Sequence, residues 1–141
     1  MNLQNFLTDT INNGGASFNI TTGVYNPKNG YFVSLPNHEQ QIPLSEFKAS
    51  DLKRYVNNNY DVLSNENNFV GSWVDNGMVY LDISEKITDK RTALVLGIDR
   101  NQKAIYDAFN GKVIDIPTPQ KAGTLTQQKT YLKLTIDNLC K

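Results

Sequence analysis

The chain has 141 residues, with fourteen Lys and Arg against fourteen Asp and Glu, one His and one Cys. That length suits one domain that needs neither a disulfide nor a metal to fold. Cys140 closes no internal disulfide, and a lone histidine builds no multi-histidine or Cys/His site, so no cofactor or metal is expected. A formal net charge of zero argues against broad attraction to nucleic acid or anionic lipid, and against a strongly acidic DNA mimic.

A hydrophobic fraction of 39% with 20% charged residues is that of a globular domain somewhat low in apolar content. No apolar run approaches the ~20 residues of a membrane helix. The opening Met1 to Phe6 lacks a cationic stretch and a long apolar stretch, so a cytoplasmic location is expected. The eighteen asparagines, with lysine far ahead of arginine, are read chiefly as the codon bias of an A/T-rich genome; the physical alternative is many turns and caps, since Asn tolerates left-handed backbone and mimics backbone hydrogen bonds.

Leu3, Phe6, Leu7 and Ile11 fall on one helical stripe, predicting an N-terminal helix over residues 1–13 that Gly14-Gly15 ends. Ala16 to Ile20 has the character of a strand. Three Asn-Gly dipeptides follow, at 29–30, 76–77 and 110–111. Asn-Gly is the strongest short hairpin signal, because a type I′ turn needs positive φ at both central residues. Each precedes a strand-like run: Tyr31 to Leu35, Met78 to Ile83 and Lys112 to Ile116. Runs before the last two, Phe69 to Val74 and Ala104 to Asp107, complete three expected hairpin-like elements. The stretches 29–35 and 76–83 resemble each other as a weak internal repeat.

Helices are expected between the hairpins. Leu52, Tyr55, Val56 and Tyr60 share a face after Ser50 as N-cap. Ala93, Leu94, Gly97 and Ile98 form a stripe after Thr88 as N-cap, and Gly97 would allow close helix-sheet approach. A loop from Pro117 leads to a C-terminal helix within residues 124–141. The expected fold is therefore one α+β domain over 1–141: a single antiparallel sheet of five to seven strands built of hairpins, with helices packed mainly on one face.

The lone His38 is read as an exposed loop residue. Strand alternation offers one chemical constellation: if the strands are neighbours, Tyr80, Asp82, Asp107 and Asp115 share a sheet face, where carboxylates bind a divalent ion or do acid/base work. The plainer reading is a wet sheet face. Trp73 is either a packing tryptophan or an interface anchor. Tyr25, Tyr31, Phe32 and Trp73 would make an aromatic patch near the hairpin tips, but Lys28 is the only close cation there, so the nucleic-acid signal is weak. No nucleotide-loop, dinucleotide, zinc-protease or EF-hand motif occurs.

Gly71-Ser72-Trp73, Tyr80-Leu81-Asp82-Ile83-Ser84 and Asn101-Gln102-Lys103-Ala104-Ile105-Tyr106-Asp107 resemble a small domain recurring in proteins of phages, plasmids and other mobile elements. The stretches from Gly14 to Asn19 and Gly30 to Ser34 extend the resemblance across most of residues 14 to 116. It implies genomic context more than chemistry, and by analogy of context an anti-defence role such as that of anti-CRISPR proteins. The expectation is a non-enzymatic binding protein docking on a host protein such as a defence nuclease. Trp73, Tyr80, Asp82, Asp107, Tyr31 and Phe32 are its candidate contact residues, with no direct nucleic-acid or membrane binding. A small carboxylate-dependent hydrolase or transferase, or a structural accessory protein, is the alternative.

Overall fold

The computed structural model describes residues 3–116 together with the helical positions Thr130, Lys133 and Ile136. Most of the expected C-terminal helix lies outside the described residues. The class is α+β, with seven strands that are antiparallel in their pairings. The chain divides into two units, the first of residues 1–27 and 35–85, the second of 28–34 and 86–141.

The first unit opens with helix α1 (Leu3–Asn13) and strand β1 (Gly15–Phe18). Phe6 and Thr10 are the fully buried residues of α1, whereas Ile11 stands 47% exposed. The stripe is therefore Leu3, Phe6, Leu7 and Thr10, not one ending at Ile11. Thr10 tolerates burial because its hydroxyl donates to the Phe6 carbonyl at 2.7 Å and bonds the Ser72 hydroxyl at 2.6 Å, leaving its polar atom satisfied.

Strands β4 (Asn68–Asp75) and β5 (Met78–Ile87) form the expected hairpin. Asn76 and Gly77 have φ of 49° and 74°, the left-handed pair that a type I′ turn requires. Strand β1 pairs with β4, and β3 (Gln40–Pro43) pairs with the other edge of β5. The sequence gives little sign of β3, because Ile42 is its single buried side chain and Pro43 suits only an edge or a strand end. Helix α2 (Ala49–Asn58) buries Leu52, Tyr55 and Val56, and α3 (Tyr60–Leu63) buries Leu63. Tyr60 is 58% exposed rather than part of the stripe. The N-cap of α2 is Lys48, not Ser50: the Asp51 carboxylate accepts the Lys48 backbone N–H at 2.9 Å. Phe6, Leu52, Tyr55 and Val56 share one core with Val70, Val79, Leu81 and Ile83, so the helices cover one sheet face.

The second unit holds β2 (Tyr31–Ser34), α4 (Lys90–Asp99), β6 (Ala104–Asp107) and β7 (Lys112–Asp115). The Asn29-Gly30 turn does not make a hairpin, because β1 is committed to β4 and β2 pairs with β6. Helix α4 buries Ala93, Leu94, Gly97 and Ile98, as expected. Its cap is Asp89 rather than Thr88, accepting the Thr92 N–H and hydroxyl at 2.9 and 2.7 Å. A side chain at Gly97 would meet Ile116 Cδ1 at 2.5 Å and Ile105 Cγ2 at 3.1 Å, the close approach that the glycine permits. Strands β6 and β7 are joined by the four residues 108–111. Only Gly111 is left-handed there, at φ 65°, so this Asn-Gly is not a type I′ pair. Ile136 is buried with Val33, Ile98 and Ile105, and Lys133 bonds Asp99 at 2.9 Å.

Asparagine serves the backbone directly. Asn26, Asn37, Asn76 and Asn101 hold positive φ. Asn19, buried, accepts the N–H groups of Thr21 and Thr22 and donates to the Glu66 carbonyl at 2.6 Å.

Candidate functional site

Residues of β4 and β5 alternate between the helix-covered core and the opposite face. Val70, Ser72, Val79, Leu81 and Ile83 are buried on the core side. The register then sets Trp73 against Tyr80 and Gly71 against Asp82 on the other side. The Trp73 and Tyr80 rings stack in parallel, with centroids 4.0 Å apart and planes 9° apart. Trp73 is nevertheless 42% exposed, so it packs on the sheet through the tyrosine while leaving part of its ring at the surface. Asp82 Oδ1 stands 2.6 Å from where a side chain at Gly71 would begin. The residues of the Gly-x-Trp and Tyr-Leu-Asp motifs thus meet as two cross-strand pairs.

The row through the stacked rings continues to both sides. Gly15 of β1 lies opposite Trp73, and Gln41 of β3 lies opposite Tyr80. Tyr80 stacks on the indole, and the cross-strand neighbour of Trp73 on its other side is Gly15, which has no side chain. Glycine is required at that position, since a Cβ would come within 2.6 Å of the Ser72 carbonyl oxygen. Asp75, at the hairpin end opposite Met78, carries a further negative charge on this face. Alternation from Trp73 predicts Asp75 there, while the sequence carries no signal for Gln41.

Negative charge is also felt below the strands. Burial pushes the Tyr55 phenol well above the usual tyrosine range, and the charges of Asp82 and Glu39 push it further. Tyr55 therefore stays neutral and donates to the His38 carbonyl at 2.6 Å. His38 is half-buried rather than exposed: its Nδ1 bonds Asn59 Oδ1 at 2.9 Å, and Asn59 donates to the Tyr55 carbonyl at 2.9 Å. This closed set of bonds fastens the loop before β3 to the end of α2.

The remaining candidates belong to the second unit. Tyr31 lies opposite Asp107 and Phe32 opposite Tyr106, and Tyr31 packs on Phe109 with ring centroids 5.4 Å apart. Phe32 and Asp107 are buried. Asp107 accepts the Asn110 backbone N–H at 3.2 Å and its side-chain N–H at 2.7 Å. These bonds, the side-chain one first, hold its carboxyl below the usual carboxylate value, against the opposing effect of burial.

The carboxylate constellation read from alternation is corrected by the strand register. Asp107 pairs with Lys112 and Asp115 with Ala104, so the two carboxylates lie on opposite faces and at opposite ends of the β6–β7 hairpin. The error came from assigning β7 an alignment with β6 that was one residue out of phase; a one-residue slip moves a side chain to the other face. Among the described residues no three His, Cys, Asp or Glu side chains come together in a group able to hold a metal ion, and no helix is long and apolar enough to cross a membrane.

Comparison with protein-family models, with curated proteins and with solved structures finds no match to this chain.

Proposed function

We propose that this chain is a non-enzymatic binding protein of a phage or other mobile element, acting in the host cytoplasm by docking on a host protein through the Trp73–Tyr80 face. The observation that carries the reading is the stacked pair itself: a 42% exposed indole held parallel to a tyrosine ring. Aromatic side chains dominate binding hot spots, and a ring already fixed by stacking loses little freedom on binding. The carboxylate-dependent enzyme reading loses its geometric support with Asp107 and Asp115 on opposite faces. Inhibition of a host defence nuclease is the finer form of the proposal and rests on the resemblance to mobile-element proteins.

The test is capture from host cells with the full chain as bait, comparing wild type, Trp73→Ala and Lys53→Ala on the exposed side of α2. A stoichiometric protein partner retained by wild type and Lys53→Ala and lost by Trp73→Ala is the expected result. Circular dichroism and a thermal melt check that Trp73→Ala stays folded. Equal recovery by a folded Trp73→Ala overturns the docking face, and recovery of nucleic acid in place of protein overturns the partner class. Restored plasmid transformation in cells with an active defence nuclease tests the finer reading.

A further inference from the structure

The overall neutrality of the chain conceals a segregation of charge. The first unit holds nine of the fourteen acidic residues and only three of the fourteen basic ones; the second holds five and eleven. By sequence the first unit carries a net charge of −6 and the second +6. The three basic residues of the first unit, Lys48, Lys53 and Arg54, all lie in or beside α2. That helix packs its apolar side on the core face of the strands. On the opposite face, the strand residues of this unit contribute Asp75 and Asp82 beside the aromatic pair and no lysine or arginine. Lys86, which continues that face along β5, belongs to the second unit, where its side chain lies over Gly30.

Resting on the docking face proposed above, we infer that its partner engages it with arginine side chains of a basic protein surface. Three observations converge on arginine rather than on any apolar or acidic surface. Trp73 is 42% exposed and its cross-strand neighbour on β1 is a glycine, so no side chain from that position competes with a planar group for the ring. Guanidinium is planar, weakly hydrated and attracted to indole faces, more so than an ammonium group. The exposed Asp75 carboxylate lies on the same face, where a guanidinium fork pairs with it by charge-assisted hydrogen bonds. With no lysine or arginine among this unit's strand residues on that face, the local charge beside the stack is negative and favours a basic surface at short range.

Trp73 is the only tryptophan in the chain, which makes its emission a reporter of this one site. The experiment titrates the full chain with nona-arginine, nona-lysine and nona-glutamate peptides at low and at 0.5 M salt, about a Debye length of 4 Å. The expected result is a saturable change in Trp73 emission with nona-arginine, severalfold weaker binding of nona-lysine and none of nona-glutamate. High salt and Asp75→Lys each weaken nona-arginine binding, the substitution by about tenfold. Amide chemical shifts perturbed by nona-arginine gather on residues 71–82 and 15–17. Equal binding of the lysine peptide, an unchanged affinity in Asp75→Lys, or shifts gathered elsewhere overturns the inference. Those results leave the docking reading standing if capture still depends on Trp73, so the two failures are distinguishable.

Discussion

Gly71 and Asp82 face each other across β4 and β5, with Asp82 Oδ1 2.6 Å from the point where a side chain at Gly71 would begin. The glycine is there to make room for a carboxylate, not for its backbone freedom. Gly71→Ala should therefore lower stability by about 1 kcal/mol, the low end of the cost of overfilling a packed site, because the carboxylate can turn aside. In an Asp82→Ala background the same substitution should cost much less. Denaturant unfolding of the four proteins forms a double-mutant cycle, and equal costs in both backgrounds would remove the explanation.

Gly97 makes a similar argument in the second unit. Alanine is the better helix former by about 1 kcal/mol, but its methyl would enter the space of Ile116 Cδ1 at 2.5 Å and Ile105 Cγ2 at 3.1 Å. The steric term should win, giving a net loss of about 1–2 kcal/mol for Gly97→Ala. Ile116→Val deletes the Cδ1 atom, so in that background Gly97→Ala should approach neutrality, as thermal melts of both would show.

The buried Thr10 and Ser72 hydroxyls, 2.6 Å apart, fasten α1 to β4. Thr10→Val keeps the shape and removes the hydroxyl, so it should destabilise by about 1–3 kcal/mol, the cost of an unmade buried hydrogen bond. Ser72 keeps the Ala16 N–H at 3.1 Å as a second partner, which places the loss toward the lower end. Hydrogen exchange should rise first in α1 and β1.

Stability should fall in acid partly through Asp107. Its carboxyl is held below 3.8 by hydrogen bonds from the Asn110 side chain first and from backbone N–H groups after it. A lowered value in the folded state means that the fold favours the ionised form. The contribution is complete above the ordinary value and is lost as pH falls through the lowered one. Asp107→Asn, which cannot ionise, should flatten the decline of the denaturation midpoint between about pH 5 and pH 2. A parallel decline in wild type and variant would assign acid sensitivity to other groups.

At the alkaline end, Tyr25 should titrate late. Its phenol is pushed up to about 12, by burial first and then by its hydrogen bond to Asp9 and that carboxylate's charge. The fold here favours the neutral phenol, so this contribution is intact below about pH 10 and is lost as pH rises toward 12. Absorbance titration near 295 nm should show a late-ionising tyrosine in wild type that moves down in Asp9→Ala but stays above the ordinary range, because burial, the larger cause, remains.

Local signals in the sequence were sufficient wherever the relevant partner was near in the chain. Asn76-Gly77 specifies its own turn, and Leu52, Tyr55, Ala93, Leu94, Gly97 and Ile98 specify buried helix stripes, because both depend on backbone geometry within a few residues. Alternation along Met78 to Ile83 likewise placed Tyr80 and Asp82 on one face. Pairing between distant strands depends on which apolar faces find cover, a matter outside any local window. Asn29-Gly30 therefore signals a turn but not a hairpin, Gln40–Pro43 becomes a strand only by adding to β5, and Asp107 and Asp115 separate onto opposite faces. Net charge behaves in the same way. Composition sets fourteen positive residues against fourteen negative ones, and they cancel. That nine of the negative ones belong to the unit bearing Trp73 follows from the folding of the chain, because a sum over the chain carries no information about where its members lie.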